Sequence, residues 1–246
     1  MFKVVIPARY ASTRLPGKPL LDIAGKPMVI RVAEQAAKSH TDEVVIATDF
    51  EKIMTVAAEH NVPAVMTRIN HVSGTDRIAE VVQKMGWGDD VIVVNVQGDE
   101  PLIDPNLIDE VALTLAHNRE AVMATACHTI HDEASFLNPN IVKVVMDSHG
   151  NALYFSRSPI PYPRDDAHKQ NLTAYRHIGI YAYRVGFLKQ YTELSITELE
   201  KTESLEQLRV LYHGYKIAVT VTDNAPASGV DTQEDLDYVR SVFKDK

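Results

Sequence analysis

The sequence predicts an α/β protein: a doubly wound, mostly parallel (Rossmann-like) sheet with an inserted β-rich subdomain. Three observations predict it. Over the first half of the chain, short β-branched runs alternate with amphipathic helical patterns, as in a parallel sheet covered on both faces. One run, Val91–Val96, is apolar at nearly every position, as a strand buried on both faces must be. Near Ala121 the alternation breaks, and a turn-rich and Pro-rich stretch follows before strand and helix return. At 246 residues the chain is read as a single domain over 1–246, with the insertion at roughly 121–191.

The elements follow in order. Phe2–Ile6 is the first strand. Gly25-Lys26-Pro27 is a turn that sets Pro beside a helix start, and Met28, Val29, Val32, Ala33 and Ala36 recur with helical spacing. Val44–Thr48 is a second strand, Lys52–His60 a helix and Pro63–Thr67 a short third strand. After Ser73-Gly74-Thr75-Asp76-Arg77, the residues Ile78, Val81, Val82 and Met85 mark a helix. Asp104-Pro105 caps another, with Leu107, Ile108, Val111, Ala112 and Leu115 on its core face.

In the second half, Ala121–Thr129 reads as a strand. Asn140–Met146 and Ala152–Ser156 flank the turn string Asp147-Ser148-His149-Gly150-Asn151 and form a hairpin. Pro159, Pro161 and Pro163 cannot lie in a central strand, and Arg164–Gln170 reads as a mobile polar loop. His177–Tyr183 is a strand with alternating aromatic residues. A capping box at Ser195 and Glu198, a helix over Glu203–Tyr212, a strand at Lys216–Val221 and a last helix burying Leu236, Val239 and Phe243 complete the chain. The insertion is expected to leave the main sheet and to supply an acceptor pocket or an oligomer interface.

Composition narrows the function. Apolar residues make up 45% of the chain, ample for a core. A net charge of −8 argues against a general nucleic-acid partner. Cys127 is the lone cysteine, so no intrachain disulfide or thiolate zinc cluster can form, which fits the cytoplasm. Within Ala-Thr-Ala-Cys-His it reads as a buried small residue rather than a nucleophile. Pro7 and Arg9 end the first apolar run too early for a signal peptide. No apolar run approaches the roughly 20 residues that membrane insertion needs.

The chemistry-bearing residues cluster at strand ends. From Lys3 to Arg31 the bases are Lys3, Arg9, Arg14, Lys18, Lys26 and Arg31, against the single acid Asp22. Arg9, Ser12, Arg14 and Lys18 therefore crowd the carboxyl end of the first strand, where open α/β sheets bind ligands. Arg offers a planar fork to phosphate oxygens and Lys a compact charge. The plainer reading is a solvated basic loop. The loop has neither G-x-G-x-x-G nor G-x-x-x-x-G-K-[ST], which counts against a nicotinamide cofactor and a P-loop. Asp99, just past the central strand, is placed to hold Mg²⁺ over a phosphate, or is an ordinary acidic turn residue before Pro101. Ser73 or Thr75 is an N-cap, and the same helix start with Arg77 suits a base edge or an anion.

Ile6-Pro7-Ala8-Arg9 with Ser12, Arg14, Pro16 and Lys18 resembles the nucleotide loop of the sugar-acid cytidylyltransferases. Six further segments fit that pattern: Ser73–Arg77, Asn95–Pro101, Tyr154–Arg157, His177–Tyr181, Leu205–Arg209 and Gly229–Thr232. The resemblance spans essentially the whole chain and is similar in detail to the branch of the family acting on the keto-sugar acid Kdo (3-deoxy-manno-octulosonate) in lipopolysaccharide assembly. It implies a nucleotidyltransferase sheet, a homodimer, the substrates CTP and Kdo, and Mg²⁺ as cofactor.

By similarity, Arg9 and Lys18 would stabilise the triphosphate and the transition state. Ser12, Arg14, Thr75, Arg77 and Gln97 would complete the nucleotide site. Asp99 and Asp231 would hold Mg²⁺, and Arg157, His177, Tyr181, Glu206 and Gln207 would line the sugar pocket. Plainer roles stand beside these. Asp231 has the spacing of an N-cap for the last helix, His177 could be a hydrogen-bonded core histidine, and Arg157 could pair with Asp165 or Asp166. Glu206 and Gln207 could be ordinary helix-surface residues. No residue is an obvious general base.

Rival functions differ in single features. A sialic-acid cytidylyltransferase would share the first loop. A nucleotide-sugar glycosyltransferase would show a D-x-D pair, and Gln97-Gly98-Asp99 has one acid of the two. A nucleotide-binding regulator would release no diphosphate.

Overall fold

A computed structural model describes residues 1–11, 15–71, 73–165, 172–223 and 229–244. Strand β1 (Phe2–Ala8) lies in the middle of a mixed sheet. It runs parallel to β4 (Glu43–Thr48) on one side and to β6 (Ile92–Asn95) on the other. Strand β5 (Ala64–Met66) extends that edge in the same direction. Beyond β6 come β10 (Ala174–Arg184), β7 (Ala121–Ile130) and β11 (Lys216–Val221). Along this path, among the described residues, β10 alone is reversed; it pairs antiparallel with both neighbours. A small hairpin, β2 (Asp22–Ile23) with β3 (Lys26–Pro27), stands apart.

Side-chain alternation in the strands gives the sheet two apolar faces. Val4 and Ile6 of β1 face α1 (Met28–Ala36), α2 (Glu51–Glu59) and α4 (Pro105–His117). Val5 faces α3 (Gly74–Met85), α6 (Val185–Tyr191) and α8 (Gln207–Tyr212). Val4, Val5 and Ile6 are fully buried, each stabilising the fold by roughly 1.5–3 kcal/mol. Each face takes a helix layer, which is why β1 and β6 show no polar stripe.

The last helix, α9 (Gln233–Lys244), packs Leu236 and Val239 on Ile23 and Met28. It thereby anchors the chain just after Gly229 against the hairpin that follows Lys18. No described helix is long and apolar enough to cross a membrane.

Three expectations are corrected. The stretch from 121 to 191 does not leave the main sheet as a unit, because β7 and β10 are two of its inner strands. Only β8 (Lys143–Met146) and β9 (Ala152–Ser156) branch off, β8 pairing with both β10 and β9. Ala124 and Ala182 are small and fully buried, which lets β7 and β10 sit under α4.

The helix expected over Glu203–Tyr212 is two helices, α7 (Glu198–Glu203) and α8. Ser204 between them adopts a left-handed backbone with φ 52°, which ends α7 and turns Leu205 into the core. The cap of α7 is Thr197, accepting from Glu200 N at 3.2 Å, two residues later than the Ser195/Glu198 box. Two helices were not anticipated, α5 (Glu133–Leu137) and α6, both too short to show a full apolar period. Most of the polar loop after Arg164 lies outside the described residues.

Candidate active site

The carboxyl ends of β1 and β6 open into a cavity of about 250 Å³ lined by Pro7, Ala8, Arg9, Lys18, Gln97, Asp99 and Asp231, among others. Close backbone approach builds it. A Cβ on Gly98 would stand 2.8 Å from Pro7 O, so only glycine lets the loop after β6 lie against the end of β1. Val230 N donates to Asp99 O at 2.8 Å, which staples the segment before α9 to that same loop.

Lys18 follows Gly17, whose φ of 66° starts a single 3-10 turn over Lys18–Leu20. The side chain is only 12% exposed, and its ammonium donates to Asp99 Oδ2 at 2.6 Å and to Asp231 Oδ1 at 3.0 Å. Two carboxylates from distant parts of the chain thus converge on one cationic centre. Arg9 is exposed on the rim of the cavity. Tyr10 beside it stacks on Phe50, ring centroids 4.0 Å apart. Burial, with the charge of Asp99, pushes the neighbouring Glu100 carboxyl up to about 8. Ser12 and Arg14 lie outside the described residues.

Asp231 is not the side-chain cap of α9. Thr232 Oγ1 accepts from Asp235 N at 3.2 Å, and Asp235 Oδ2 accepts from the backbone N–H groups of Asp231 and Thr232. The cap sits one residue later than the sequence spacing suggests, which leaves the Asp231 carboxylate for Lys18.

A second cluster lies behind the first turn of α3. Ser73 is the N-cap, in a reciprocal capping box with Asp76. Thr75 Oγ1 donates to Glu206 Oε1 at 3.1 Å and lies 3.1 Å from the Tyr183 hydroxyl. Burial raises the Glu206 carboxyl above its ordinary range. The rings of His177, Tyr181 and Tyr183 run in sequence beside it, with centroids 5.5 and 6.0 Å apart. Phe155 meets the His177 ring edge-on.

Thr125 Oγ1 lies 2.7 Å from Ile180 O, to which it donates, so it accepts from His177 Nε2 at 2.9 Å. Burial holds the His177 imidazole neutral, down to about 3. Asn95 Oδ1, Tyr191 Oη and Gln207 Nε2 are buried with no hydrogen-bond partner among the described residues, an uncommon state for polar atoms.

Two predicted ligands make hydrogen bonds within the scaffold. The Arg77 guanidinium, 5% exposed, donates to Asp49 Oδ2 at 2.7 Å and also to Thr67, away from Lys18. Arg157 is bonded neither to Asp165 nor to the sugar-pocket cluster. Its Nε donates to Glu203 O at 2.6 Å and its Nη1 to Pro139 O at 3.1 Å, which ties β9 to the end of α7. Tyr183, Tyr191 and Asn95 were not singled out from the sequence. Tyr183 lies two residues from Tyr181 on the same face of the strand, and that spacing was the available signal. Cys127 is buried, and its thiol is pushed up to about 12, as expected of an inert packing residue.

A doubly wound sheet with a cation-lined cleft at its carboxyl edge, lacking a glycine-rich phosphate loop, defines a nucleotide-binding α/β protein of the nucleotidyltransferase class. The family model described as cytidylyltransferase matches residues 3–217. The chain is 59% identical to a 3-deoxy-manno-octulosonate cytidylyltransferase of Neisseria gonorrhoeae (strain NCCP11945), covering 99% of this chain and 98% of the relative. It is 57% identical to a protein of the same name from Herminiimonas arsenicoxydans, over 98% of each chain. A solved structure of CMP:2-keto-3-deoxy-manno-octonic acid synthetase complexed with CTP superposes with a TM-score of 0.92 at 42% identity, covering 100% of this chain and 99% of that one. The chain belongs to the cytidylyltransferase family.

Proposed function

We propose that this chain activates Kdo with CTP, giving CMP-Kdo and diphosphate. The observation that carries the reading is the cleft in which Arg9 and Lys18 meet Gln97, Asp99 and Asp231, in a chain 59% identical over its length to a named 3-deoxy-manno-octulosonate cytidylyltransferase. The anomeric 2-hydroxyl of the keto-sugar acid attacks the α-phosphorus in line. The bond from that phosphorus to the bridging oxygen of the β-phosphate breaks, and the hydroxyl proton is released. Such a transfer depends on positioning and charge neutralisation more than on a protein nucleophile. Arg9 and Lys18 supply positive charge toward the triphosphate. Thr75, Tyr181, Glu206 and Gln207 offer the mixed donors and acceptors that a polyhydroxy acid requires. His177, neutral and bonded to Thr125, shapes that wall without acting as a base.

Mg²⁺ belongs to this reading. The donor set fits: Asp99 and Asp231 present hard carboxylate oxygens to a single point, now filled by the Lys18 ammonium. Among the described residues no third His, Cys, Asp or Glu joins them, so the remaining ligands would be phosphate oxygens and water. Bound there, the ion would neutralise charge at the α-phosphate.

A homodimer in the cytoplasm, serving lipopolysaccharide assembly, completes the proposal. Leu137, Leu153 and Tyr162, exposed apolar side chains between β7 and β10, support a dimer surface there.

The test is diphosphate release from CTP with and without Kdo, repeated with ATP, GTP and a panel of sugar acids that includes an 8-amino analogue and sialic acid. Release that requires both CTP and Kdo is expected. Equal release with ATP would remove the cytosine assignment, and release without Kdo would remove the acceptor.

A further inference from the structure

We propose that Lys18 is a built-in cation for the Asp99–Asp231 pair, which it must vacate before a divalent metal can bind there, so that metal and nucleotide enter together. The inference rests on the metal reading of that pair. The ammonium reaches both carboxylates at 2.6 and 3.0 Å with its side chain almost buried. A divalent ion held by the same two carboxylates would need the position that the ammonium occupies. A cation of like sign cannot share that point. Lys18 and the metal are therefore mutually exclusive occupants.

The surroundings permit the exchange. The lysine stem has four rotatable carbons, and the cavity beside it, about 250 Å³ and rimmed by Arg9, leaves room for the ammonium to turn outward. A triphosphate arriving in that cavity draws the ammonium onto its own oxygens and releases the carboxylates. Binding free energies are reciprocal, so nucleotide must then raise metal affinity by the same factor as metal raises nucleotide affinity. Lys18 also brings positive charge to both carboxylates, so its removal takes that pairing away from each of them.

Mn²⁺ binding, followed by electron paramagnetic resonance without nucleotide, tests this alongside thermal melts of the same samples. Wild type and Lys18→Arg, which keep the positive charge, should bind Mn²⁺ weakly. Lys18→Met should bind it at least about tenfold more tightly, within the usual range of site coupling. Its melting temperature should fall and be restored by Mn²⁺, and Lys18→Met/Asp231→Asn should lose the Mn²⁺ gain. Lys18→Gln serves if Lys18→Met does not fold. Binding to Lys18→Met no tighter than to wild type overturns the proposal, as does a gain that survives Asp231→Asn.

The metal reading is checked separately by Mn²⁺ binding to the CTP complex of wild type and of Asp99→Asn. A loss in Asp99→Asn alongside an unresponsive Lys18→Met leaves the metal site standing and removes only the lysine exchange. Equal binding in both CTP complexes removes the metal site and the exchange with it.

Discussion

The Thr75 hydroxyl donates to Glu206 Oε1 at 3.1 Å, joining the first turn of α3 to the start of α8 across 131 residues of sequence. Glu206 is withdrawn from solvent and its carboxyl is raised by that burial, so the hydroxyl is part of what keeps it oriented. In the proposed function both residues contact the sugar acid. Thr75→Val keeps the shape and removes the donor, at a stability cost of about 1–2 kcal/mol for a buried hydrogen bond. The KM for Kdo should rise several-fold while the KM for CTP changes little. A change confined to CTP would return Thr75 to the nucleotide site.

Arg77 answers a different question. Its guanidinium and the Asp49 carboxylate are both nearly buried and 2.7 Å apart. Arg77→Met strands a buried carboxylate and should cost about 3 kcal/mol, seen in urea unfolding. Arg77→Met/Asp49→Leu, which removes both charges, should recover more than half of that loss. An unchanged melt with a raised KM for CTP would show that the guanidinium serves the nucleotide instead.

Asp231→Asn separates a metal ligand from a scaffold residue. Because Thr232 and Asp235 cap α9, and the Asp231 side chain is 47% exposed, stability should change by less than about 1 kcal/mol. Turnover should fall by orders of magnitude and the Mg²⁺ requirement should rise. Asp99→Asn should behave alike, and the double variant should be little worse than either single one, as for groups acting as a unit. Near-normal turnover in Asp231→Asn, measured against Mg²⁺ concentration, would leave Asp99 alone at the site.

His177 gives a pH signature. Its folded-state imidazole is lowered from 6.5 to about 3 by burial, so the unfolded chain binds a proton that the folded chain refuses. Stability is therefore complete above pH 6.5, falls as pH drops through the window from 6.5 to 3, and loses nothing more from this group below it. The loss between pH 7 and pH 5 should be about 1 kcal/mol, reduced for the part of the ring that solvent still reaches. His177→Gln should flatten the profile in that window. A variant whose unfolding free energy declines with pH as steeply as wild type would place the titrating group elsewhere.

These residues also show what the sequence made legible. β11 and α4 matched their expected bounds closely: β11 is a short apolar run buried on both faces, and α4 starts at Asp104-Pro105 and buries Leu107, Ile108, Val111, Ala112 and Leu115 at helical spacing. Lys18 and Asp99 stood out because both follow strands that end at the same sheet edge. The return of β7 and β10 to the main sheet was not legible, because two strands separated by a hairpin look alike whether they join the sheet or leave it. Nor was the break at Ser204, where a serine in left-handed conformation carries no local mark. Arg77 and Arg157 share the chemistry of phosphate and carboxylate ligands, and only the positions of Asp49, Glu203 and Pro139 show where their donors are directed.

Transfer of the nucleotidyl group is followed most directly by label from CTP. With CTP labelled at the α-phosphorus and, in a parallel reaction, at the γ-phosphorus, the products formed in the presence of Kdo are separated. The α label should be found wholly in CMP joined to Kdo and the γ label wholly in diphosphate, in equal amounts, with neither product formed when Kdo is omitted. Label from the γ position on the sugar acid, or α label released as free CMP in step with diphosphate, would contradict it.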